Sequence, residues 1–458
     1  MKINITRSFL IAAAVFCLVS FGYSQTVEER NVRAAMTFLA SDAMQGRGSG
    51  TTFERIAAEY IGSQFMQFGL EPAGEKGFDG KPTYVQTVDV PGRTYVQDIK
   101  FSAPLESVAF GKHLAVFGIF SKDITGPLQR ARVGDAAKKG AVVLLTLGED
   151  EKWNEVQPKV SQMAAGGAAA VIVIENNELH SHWGEIAGRR APLSRRGINQ
   201  FLLSKDGLDA WASVADGTAI TMTATTAEGP KTHTWNAMGK ITGSDQTLGA
   251  QVILLTSHLD HVGVRDNAPG DDKIFNGADD DASGSVAVLE LARVLGAGKR
   301  PKRTVYFVCF GSEEAGGYGA RYFVENMPFP KETLVANLEF EMIGRPDAKV
   351  KAEELWLTGY ERSNLGPELA RRGAKLVQDP HPEENFFQRS DNIQLARAGI
   401  IAHTVSSFGL HTDYHKASDE VKTIDFGHMT KSINSMIKPI DWLVNSDFRP
   451  SWVEGKRP

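Results

Sequence analysis

Three short polar segments in the C-terminal half carry side chains that could bind metal ions. Residues 257–261 read SHLDH, residues 277–284 read GADDDASG and residues 310–314 read FGSEE. Each segment follows an apolar, strand-like run or precedes a helix-like one. Imidazole and carboxylate groups held at strand ends are the ligands that a hydrolytic metal site needs. The sequence therefore predicts a metal-dependent hydrolase.

The first segment pairs an imidazole with a carboxylate. In an extended chain, residues two apart face the same side, so His258 and Asp260 point together. This spacing suits a metal-bound imidazole whose other ring nitrogen is held by a carboxylate. A surface histidine that happens to lie near an aspartate is the alternative for this pair taken alone.

The second segment places three acids before a predicted helix. One acid at this position would be an ordinary helix cap, but Asp279, Asp280 and Asp281 are adjacent. Adjacent carboxylates repel one another, which raises their pKa values unless a cation offsets the repulsion. One carboxylate can also bridge two metal ions about 3.5–4 Å apart. Capping combined with solvation is the alternative for this segment.

Two further pairs of glutamates lie at or near predicted strand ends. Glu313 and Glu314 follow a buried strand, so one can bind a metal while the other accepts a proton from water. Glu339 and Glu341 lie on one face of the strand predicted at 333–342. Two acids on a face of an apolar strand are costly unless they are paired or bound to metal.

The last candidate segment is residues 411–415, which read HTDYH. It supplies late histidines in a loop, and Tyr414 could donate a hydrogen bond to a developing oxyanion. For each histidine taken separately, a solvated loop residue is the alternative.

The elements that must position these residues alternate between strand and helix from about residue 235 onward. This alternation predicts an α/β fold with a mostly parallel, mixed sheet covered by helices, in which ligands bind beyond the carboxyl ends of the strands. Residues 26–70 are predicted to be helical, and residues 80–235 contain short β-like segments. Strands are predicted at 251–257, 303–310, 333–342, 355–358 and 399–405.

Composition and the first residues bound the remaining possibilities. The chain has 458 residues, 42% of them hydrophobic, and its formal net charge of -5 argues against nucleic-acid binding. Lys2 and Arg7 precede an apolar run at 9–21, which predicts an export signal over residues 1–24. The mature protein is therefore expected in the periplasm or secreted, without stable membrane insertion. An uncleaved anchor or an N-terminal core helix is the alternative.

The order of these segments resembles the M28 family of zinc exopeptidases. Residues 39–42 and 46–48 look like the N-terminal segment of that family, and residues 141–145 and 164–176 are similar to a protease-associated (PA) domain. The resemblance implies a zinc-exopeptidase (phosphorylase/hydrolase-like) fold with an inserted β-rich PA domain. The implied domains are a signal peptide at 1–24, the peptidase domain at 25–98 and 234–447, the PA domain at 99–233 and a tail at 448–458.

The resemblance also assigns roles to the candidate residues and implies two Zn²⁺ ions. Asp280 would bridge the ions, Glu313 would be the general base, Asp260 would orient His258, and Tyr414 would stabilise the transition state. The implied metal ligands are His258, Asp280, Glu314, Glu341 and His415.

One position departs from the family pattern. The family usually has aspartate where this chain has Glu341, which leaves the geometry or metal preference of the first site open, and Glu339 is the second choice for that ligand.

By analogy with the family, we expect an aminopeptidase that acts on peptide substrates. A carboxypeptidase of the same family and a single-zinc glutaminyl cyclase remain alternatives, although all five ligand positions hold metal-binding side chains. A non-catalytic, receptor-like binding module is the alternative from a different class. The sequence leaves the preferred substrate side chain and the oligomeric state open.

Overall fold

The computed structural model describes residues 26–458 apart from Arg93, Asp150, His182, residues 188–191, residues 195–196, Asn267 and Pro269. The predicted signal peptide therefore lies outside the described residues. The chain forms two compact units. The first unit contains the described residues up to Asp89 together with His233–Pro458, and the second unit is Val90–Thr232.

The N-terminal part of the first unit consists of two helices, a 3₁₀ turn and two strands. Thr51 caps the second helix, since its side chain accepts a hydrogen bond from the backbone N–H of Glu54. The buried side chains of both helices, such as Met36 and Phe65, join the main core of this unit. The elements are α1 (Glu29–Leu39), the turn Asp42–Arg47, α2 (Thr52–Gln67), β1 (Glu71–Pro72) and β2 (Val85–Val90).

The second unit is built around a seven-stranded sheet. Its strands are β3 (Thr94–Phe101), β4 (Leu114–Gly118), β5 (Asp123–Arg132), β6 (Val142–Thr146), β7 (Ala170–Ile174), β8 (Asn199–Leu203) and β9 (Ala219–Glu228). Its helices are α3 (Trp153–Ala165), α4 (Asn177–Ser181), α5 (Trp183–Ala187) and α6 (Lys205–Leu208).

In this sheet the strand order is β3-β9-β5-β6-β7-β8-β4, and the four strands from β5 to β8 are parallel. The unit includes residues 90–98, which the sequence analysis assigned to the peptidase domain, because β3 pairs with β9 along its length. Its identity as a PA domain remains a prediction.

The C-terminal part of the first unit alternates strands and helices. Its strands are β10 (Thr232–Ile241), β11 (Val252–His258), β12 (Gly263–Val264), β13 (Ile274–Phe275), β14 (Thr304–Phe310), β15 (Leu334–Phe340), β16 (Leu355–Leu357), β17 (Leu376–Gln378) and β18 (Ala402–Ser406). Its helices are α7 (Gly284–Ala297), α8 (Tyr318–Glu325), α9 (Leu365–Arg371), α10 (Asn392–Arg397) and α11 (Phe426–Asn445).

The main sheet of the first unit has the order β1-β10-β14-β11-β15-β18-β16-β17, with β2 added beside β10. The four central strands β14, β11, β15 and β18 are parallel and fully buried. Helices cover both faces: alternate residues of β11, such as Leu255 and Leu254, pack into opposite cores. The predicted α/β class with a mixed, mostly parallel sheet is confirmed.

The strand register brings the candidate segments to one edge of this sheet. His258 at the end of β11 lies opposite Phe310 at the end of β14, and Phe340 of β15 lies opposite Val405 of β18. The carboxyl ends of all four parallel strands therefore open at the same edge. Among the described residues, no helix has both the length and the hydropathy needed to span a bilayer.

Candidate metal centre

The three consecutive aspartates lie in an irregular turn, Ala278–Ser283, that precedes α7 and in which Asp280 and Asp281 have non-helical backbone angles. The carboxylate of Asp281 accepts hydrogen bonds from three backbone N–H groups. Its Oδ1 accepts hydrogen bonds from the backbone N–H groups of Gly284 and Met342, at 2.8 and 3.1 Å, and its Oδ2 accepts one from His258 N–H at 3.2 Å. It therefore holds the ends of β11 and β15 to the start of α7.

Asp279 is occupied in the same way. Its Oδ1 accepts a hydrogen bond from Gly344 N–H at 2.8 Å, and its Oδ2 lies 2.8 Å from Nε2 of His411. The backbone N–H groups of Asp279 and Asp280 donate in turn to the carboxylate of Asp419. These contacts hold the turn rigid and leave the Asp280 carboxylate directed at imidazoles.

Asp280 has a histidine facing each carboxylate oxygen. Its Oδ1 lies 3.2 Å from Nε2 of His258, and its Oδ2 lies 3.2 Å from Nε2 of His415 and 3.7 Å from Nδ1 of His261. Glu314 faces the same two histidines, with Oε1 at 3.0 Å from His261 Nδ1 and 2.9 Å from His415 Nε2.

Two groups of potential metal ligands share Asp280. In each group the ligand atoms lie within 4.8 Å of one another. We call them the first group, which contains His258, Asp280 and Glu341, and the second group, which contains His261, Asp280, Glu314 and His415. The five predicted ligands are thus brought together, and His261 joins them.

The side chains of the two groups approach one another without forming hydrogen bonds, which is the arrangement expected around a bound zinc ion. Buried atoms of the two groups, including His258 Nε2, Asp280 Oδ2 and Glu314 Oε1, face nitrogen or oxygen atoms at 2.9–3.2 Å without acceptable hydrogen-bond geometry. Buried polar atoms normally find partners, and leaving them unpaired is costly. Lone pairs that converge in this way suit a shared cation, and imidazole with carboxylate is a donor set that Zn²⁺ accepts.

Asp260 is placed differently from the prediction. Its carboxylate Oδ1 is 3.8 Å from Nδ1 of His258, whereas the backbone carbonyl of Asp260 lies 3.2 Å from that nitrogen. The carboxylate instead accepts hydrogen bonds from the backbone N–H groups of Glu313 and Glu314 and from the hydroxyl of Ser49. It therefore holds the loop that carries the two glutamates.

Glu313 and Glu314 are adjacent but differ electrostatically. Burial, together with the charges of Asp391, Glu341 and Glu314, raises the pKa of Glu313 well above its ordinary value. Burial and Asp280 would also raise the pKa of Glu314, but the close imidazoles of His261 and His415 outweigh them and lower it. One glutamate is thus stabilised as a ligand anion, and the other has a raised proton affinity.

Glu339 and Glu341, both predicted on one strand, have different environments in the structure. Strand β15 ends at Phe340, so Glu341 lies just past the strand, where its N–H donates to the carbonyl of Val405 at 3.1 Å. Burial raises the pKa of Glu341 to about 8. The alternative ligand Glu339 lies within the strand, and its Oε2 accepts hydrogen bonds from Asn392 N–H and from the Thr404 hydroxyl. Among the described residues it joins neither ligand group.

The loop that carries Tyr414 and His415 is held by Arg345, which follows β15. The guanidinium lies 2.7 Å from Asp413 and 3.0 Å from Asp419. The ring of Tyr414 stacks on His415 with centroids 3.9 Å apart, and burial raises the pKa of its hydroxyl. Tyr414 also borders a small cavity of about 30 Å³ that reaches Glu341. Apolar side chains in its wall include Met342, Trp356, Phe386 and Phe408.

Sequence reasoning missed three residues of this site. His261 received no role in the sequence analysis, where strand alternation paired residues 258 and 260; in the structure β11 ends at His258 and the chain then turns. The buried Arg47 holds that turn in place, because its guanidinium donates hydrogen bonds to the carbonyls of Leu259 and Gly277. The second histidine of SHLDH was the available signal for His261. Arg47 lies in the segment 46–48 that resembles the family, whereas Arg345 offered no signal beyond its residue type.

Known proteins share this architecture. The zinc aminopeptidase BSAP from Bacillus subtilis superposes with a TM-score of 0.54 at 20% identity, covering 93% of this chain and 97% of that chain, which shows a common fold. Residues 236–438 match the profile described as Peptidase family M28, so the chain contains a peptidase domain of this family. The predicted family and the predicted hydrolase class are confirmed.

Two curated relatives are named as aminopeptidases. The aminopeptidase YwaD of Bacillus subtilis strain 168 is 25% identical over 368 residues, which cover 79% of this chain and 72% of that protein. An aminopeptidase of Pseudomonas aeruginosa strain UCBPP-PA14 is 30% identical over 192 residues, but these cover 42% of this chain and 33% of that protein.

Proposed function

We propose that this protein is a zinc aminopeptidase that uses two Zn²⁺ ions to release N-terminal residues from peptides outside the cytoplasm. The observation that carries the proposal is that one carboxylate, Asp280, belongs to two adjacent groups of ligand atoms. A bridging carboxylate between two ligand sets is the arrangement that a pair of catalytic metal ions requires. When bound, such ions polarise a carbonyl group and lower the pKa of a water molecule.

Glu313 supplies the proton transfer in this proposal. The backbone N–H of Glu313 is fixed by Asp260, and its carboxyl group is near enough to interact electrostatically with His258, Glu341 and Glu314. A carboxylate with a raised pKa accepts a proton from the attacking water and then returns it to the leaving amine. Asp260 acts as a positioning residue, because it touches the backbone of both glutamates.

Tyr414 and the adjacent cavity handle the rest of the substrate. The hydroxyl of Tyr414 keeps its proton at neutral pH because burial raises its pKa, so it can donate a hydrogen bond to a developing oxyanion. The cavity beside Glu341 and Tyr414 is lined by apolar and aromatic side chains together with polar ones such as Thr358 and Ser390, and it would receive a substrate side chain. The names of the relatives support an N-terminal residue as that substrate group.

Hydrolysis of a matched substrate panel tests this function. Zinc-loaded protein should hydrolyse aminoacyl p-nitroanilides with a free α-amine and should not hydrolyse their N-acetylated counterparts. Release of C-terminal residues from N-blocked peptides would identify a carboxypeptidase instead, and cyclisation of N-terminal glutamine would identify a glutaminyl cyclase. Zinc binding without turnover of any of these compounds would favour the receptor-like module.

The location outside the cytoplasm has a separate test. It is supported by the signal-like residues 1–24, which lie outside the described residues. N-terminal sequencing of protein from the periplasmic and secreted fractions should find a chain that begins near residue 25. Recovery of the full-length chain from the cytoplasm alone would contradict this part of the proposal.

A further inference from the structure

We propose that His261 is a direct metal ligand, so that the second group is a four-ligand site that fills first and binds zinc far more tightly than the first group. The proposal rests on the two-zinc function above and divides the labour between the two sites. The four-ligand site anchors its ion, whereas the three-ligand site keeps a coordination position for water or substrate.

The position of the His261 ring supports direct ligation. Nδ1 lies 3.0 Å from Oε1 of Glu314 and 3.7 Å from Oδ2 of Asp280, both of which also face His415. The imidazole is 1% exposed, and neither of its ring nitrogens has a hydrogen-bond partner of acceptable geometry among the described residues. A buried imidazole with two unpaired nitrogens is costly, and a cation shared with Glu314 and His415 would satisfy Nδ1.

The backbone and packing hold the ring in this position without a polar partner. The N–H of His261 donates to the carbonyl of Arg47 at 3.2 Å, which fixes the main chain. The ring packs against Gly277, which has φ +56°, and a Cβ at that position would lie 2.4 Å from the imidazole Cγ. Glycine therefore leaves the space that the imidazole occupies, and the ring needs no reorganisation to bind an ion.

The two groups differ in ligand number and type. The second group offers two imidazoles and two carboxylates, which complete the four-coordinate shell of a closed zinc site. The first group offers one imidazole and two carboxylates, which is the three-ligand count of a catalytic site with an open position. The acids Glu313 and Glu339 also interact electrostatically with Glu341, so the charge around the first group favours a cation, but this group has fewer nitrogen ligands with which to select zinc.

Zinc titration of the apo-protein against a chromogenic chelator tests the proposal. Wild-type protein should bind one Zn²⁺ tightly and a second more weakly. Because second-sphere partners already change metal affinity about 10–100-fold, His261→Asn should weaken the tight step by at least about 100-fold and leave the weak step within about threefold. His261→Asp, whose carboxylate oxygen reaches the position of Nδ1, should restore the tight step to within about tenfold.

Two controls separate ligation from folding. Thermal unfolding of the apo-forms should show that both variants fold, and His180→Ala, at an exposed histidine of the second unit, should titrate like the wild type. Unchanged zinc affinities in His261→Asn would overturn the proposal. So would equal losses in the Asn and Asp variants, because a packing role would not distinguish them.

The same preparations show whether the proposed function itself fails. If wild-type protein binds two zinc ions and hydrolyses aminoacyl substrates while His261→Asn binds zinc normally, only the role of His261 is wrong. If wild-type protein binds no zinc, or binds it and hydrolyses nothing, the proposed function fails irrespective of His261.

Discussion

Both units of this protein contain four neighbouring parallel strands with polar residues at several of their carboxyl ends, yet only one set of strand ends forms a candidate metal centre. In the second unit, the polar side chains that follow β7 and β8 form hydrogen bonds with backbone groups of the same unit. Glu175 accepts a hydrogen bond from Lys205 N–H, Asn176 donates to the carbonyl of Gly148, and Ser204 accepts from Gly207 N–H. These residues close turns and cap a helix.

In the first unit, the corresponding side chains converge and leave atoms unpaired. His258, His261, Asp280 and Glu314 each have a buried atom without a hydrogen bond, whereas in the described part of the second unit only Trp211 Nε1 is left so. Acidic and polar residues at strand ends are therefore not diagnostic by themselves. What distinguishes a site is that buried lone pairs from several strands point at one another.

The largest effect is expected from removing Glu313, the proposed general base at the strand ends of the first unit. Glu313→Gln should lower kcat by roughly 10²–10⁴-fold, the range for removing a general base, while zinc content and KM stay close to wild type. Steady-state kinetics at saturating zinc together with metal analysis measure both. Near wild-type kcat in a zinc-loaded variant would show that another group transfers the proton.

A second prediction contrasts the metal-centre histidines with a fully paired buried histidine, His403. Its ring nitrogens lie 2.7 Å from Ser363 Oγ and from the carbonyl of Thr358, and burial lowers its pKa to about 4. The unfolded chain takes up a proton near pH 6.5, whereas folded His403 stays neutral until about pH 4. Stability should therefore fall by about 3 kcal/mol as the pH drops through this interval.

His403→Gln should remove that share of the acid sensitivity. Urea unfolding of wild type and variant at several pH values between 4 and 7 measures the difference. If the free energy of unfolding of the two proteins runs in parallel over this interval, His403 is not held neutral by the fold.

A third prediction tests whether the loop at 411–419 is positioned by its ion pairs. Arg345→Met removes the contacts to Asp413 and Asp419, so the loop that carries Tyr414 and His415 should shift. Misplacement of catalytic groups by about 1 Å costs up to about 10²-fold in rate, and we expect kcat to fall roughly 10–100-fold. Lys351→Met, at an exposed position, is the matched control. Equal kcat values for the two variants would exclude this role for Arg345.

The smallest expected effect lies in the second unit. Glu175→Ala leaves Lys205 N–H without its charged acceptor and should lower the free energy of unfolding of the zinc-loaded protein by about 1–3 kcal/mol. Zinc content and kcat should not change. Glu149→Ala, at an exposed position after β6, should change stability by no more than about 0.5 kcal/mol. Loss of bound zinc in Glu175→Ala would break the contrast between the two sets of strand ends.

Much of this picture could be predicted from sequence because it depends on local pattern. Apolar runs followed by His258 and Glu313 located two strand ends, and parallel pairing then required the segments to meet at one edge. Glu341 was predicted within a strand, but it lies just past the end of β15. What sequence could not supply is the path of the chain beyond each strand. His261 enters the site only because the chain turns after β11, and Asp260 serves the neighbouring loop because that loop's N–H groups point at it.

The neighbouring aspartates show the same limit. Asp279, Asp280 and Asp281 are identical in type, and only the geometry of the turn decides that Asp280 faces imidazoles while Asp281 accepts backbone hydrogen bonds. The resemblance to a family selected Asp280; composition and spacing alone could not.

Anomalous diffraction at the zinc absorption edge, on crystals of the zinc-loaded protein, tests the central claim most directly. We predict two peaks about 3.5–4 Å apart, one beside His258 and Glu341 and the other beside His261, Glu314 and His415, with the Asp280 carboxylate between them. A single peak, or two peaks that do not share Asp280, would contradict the account.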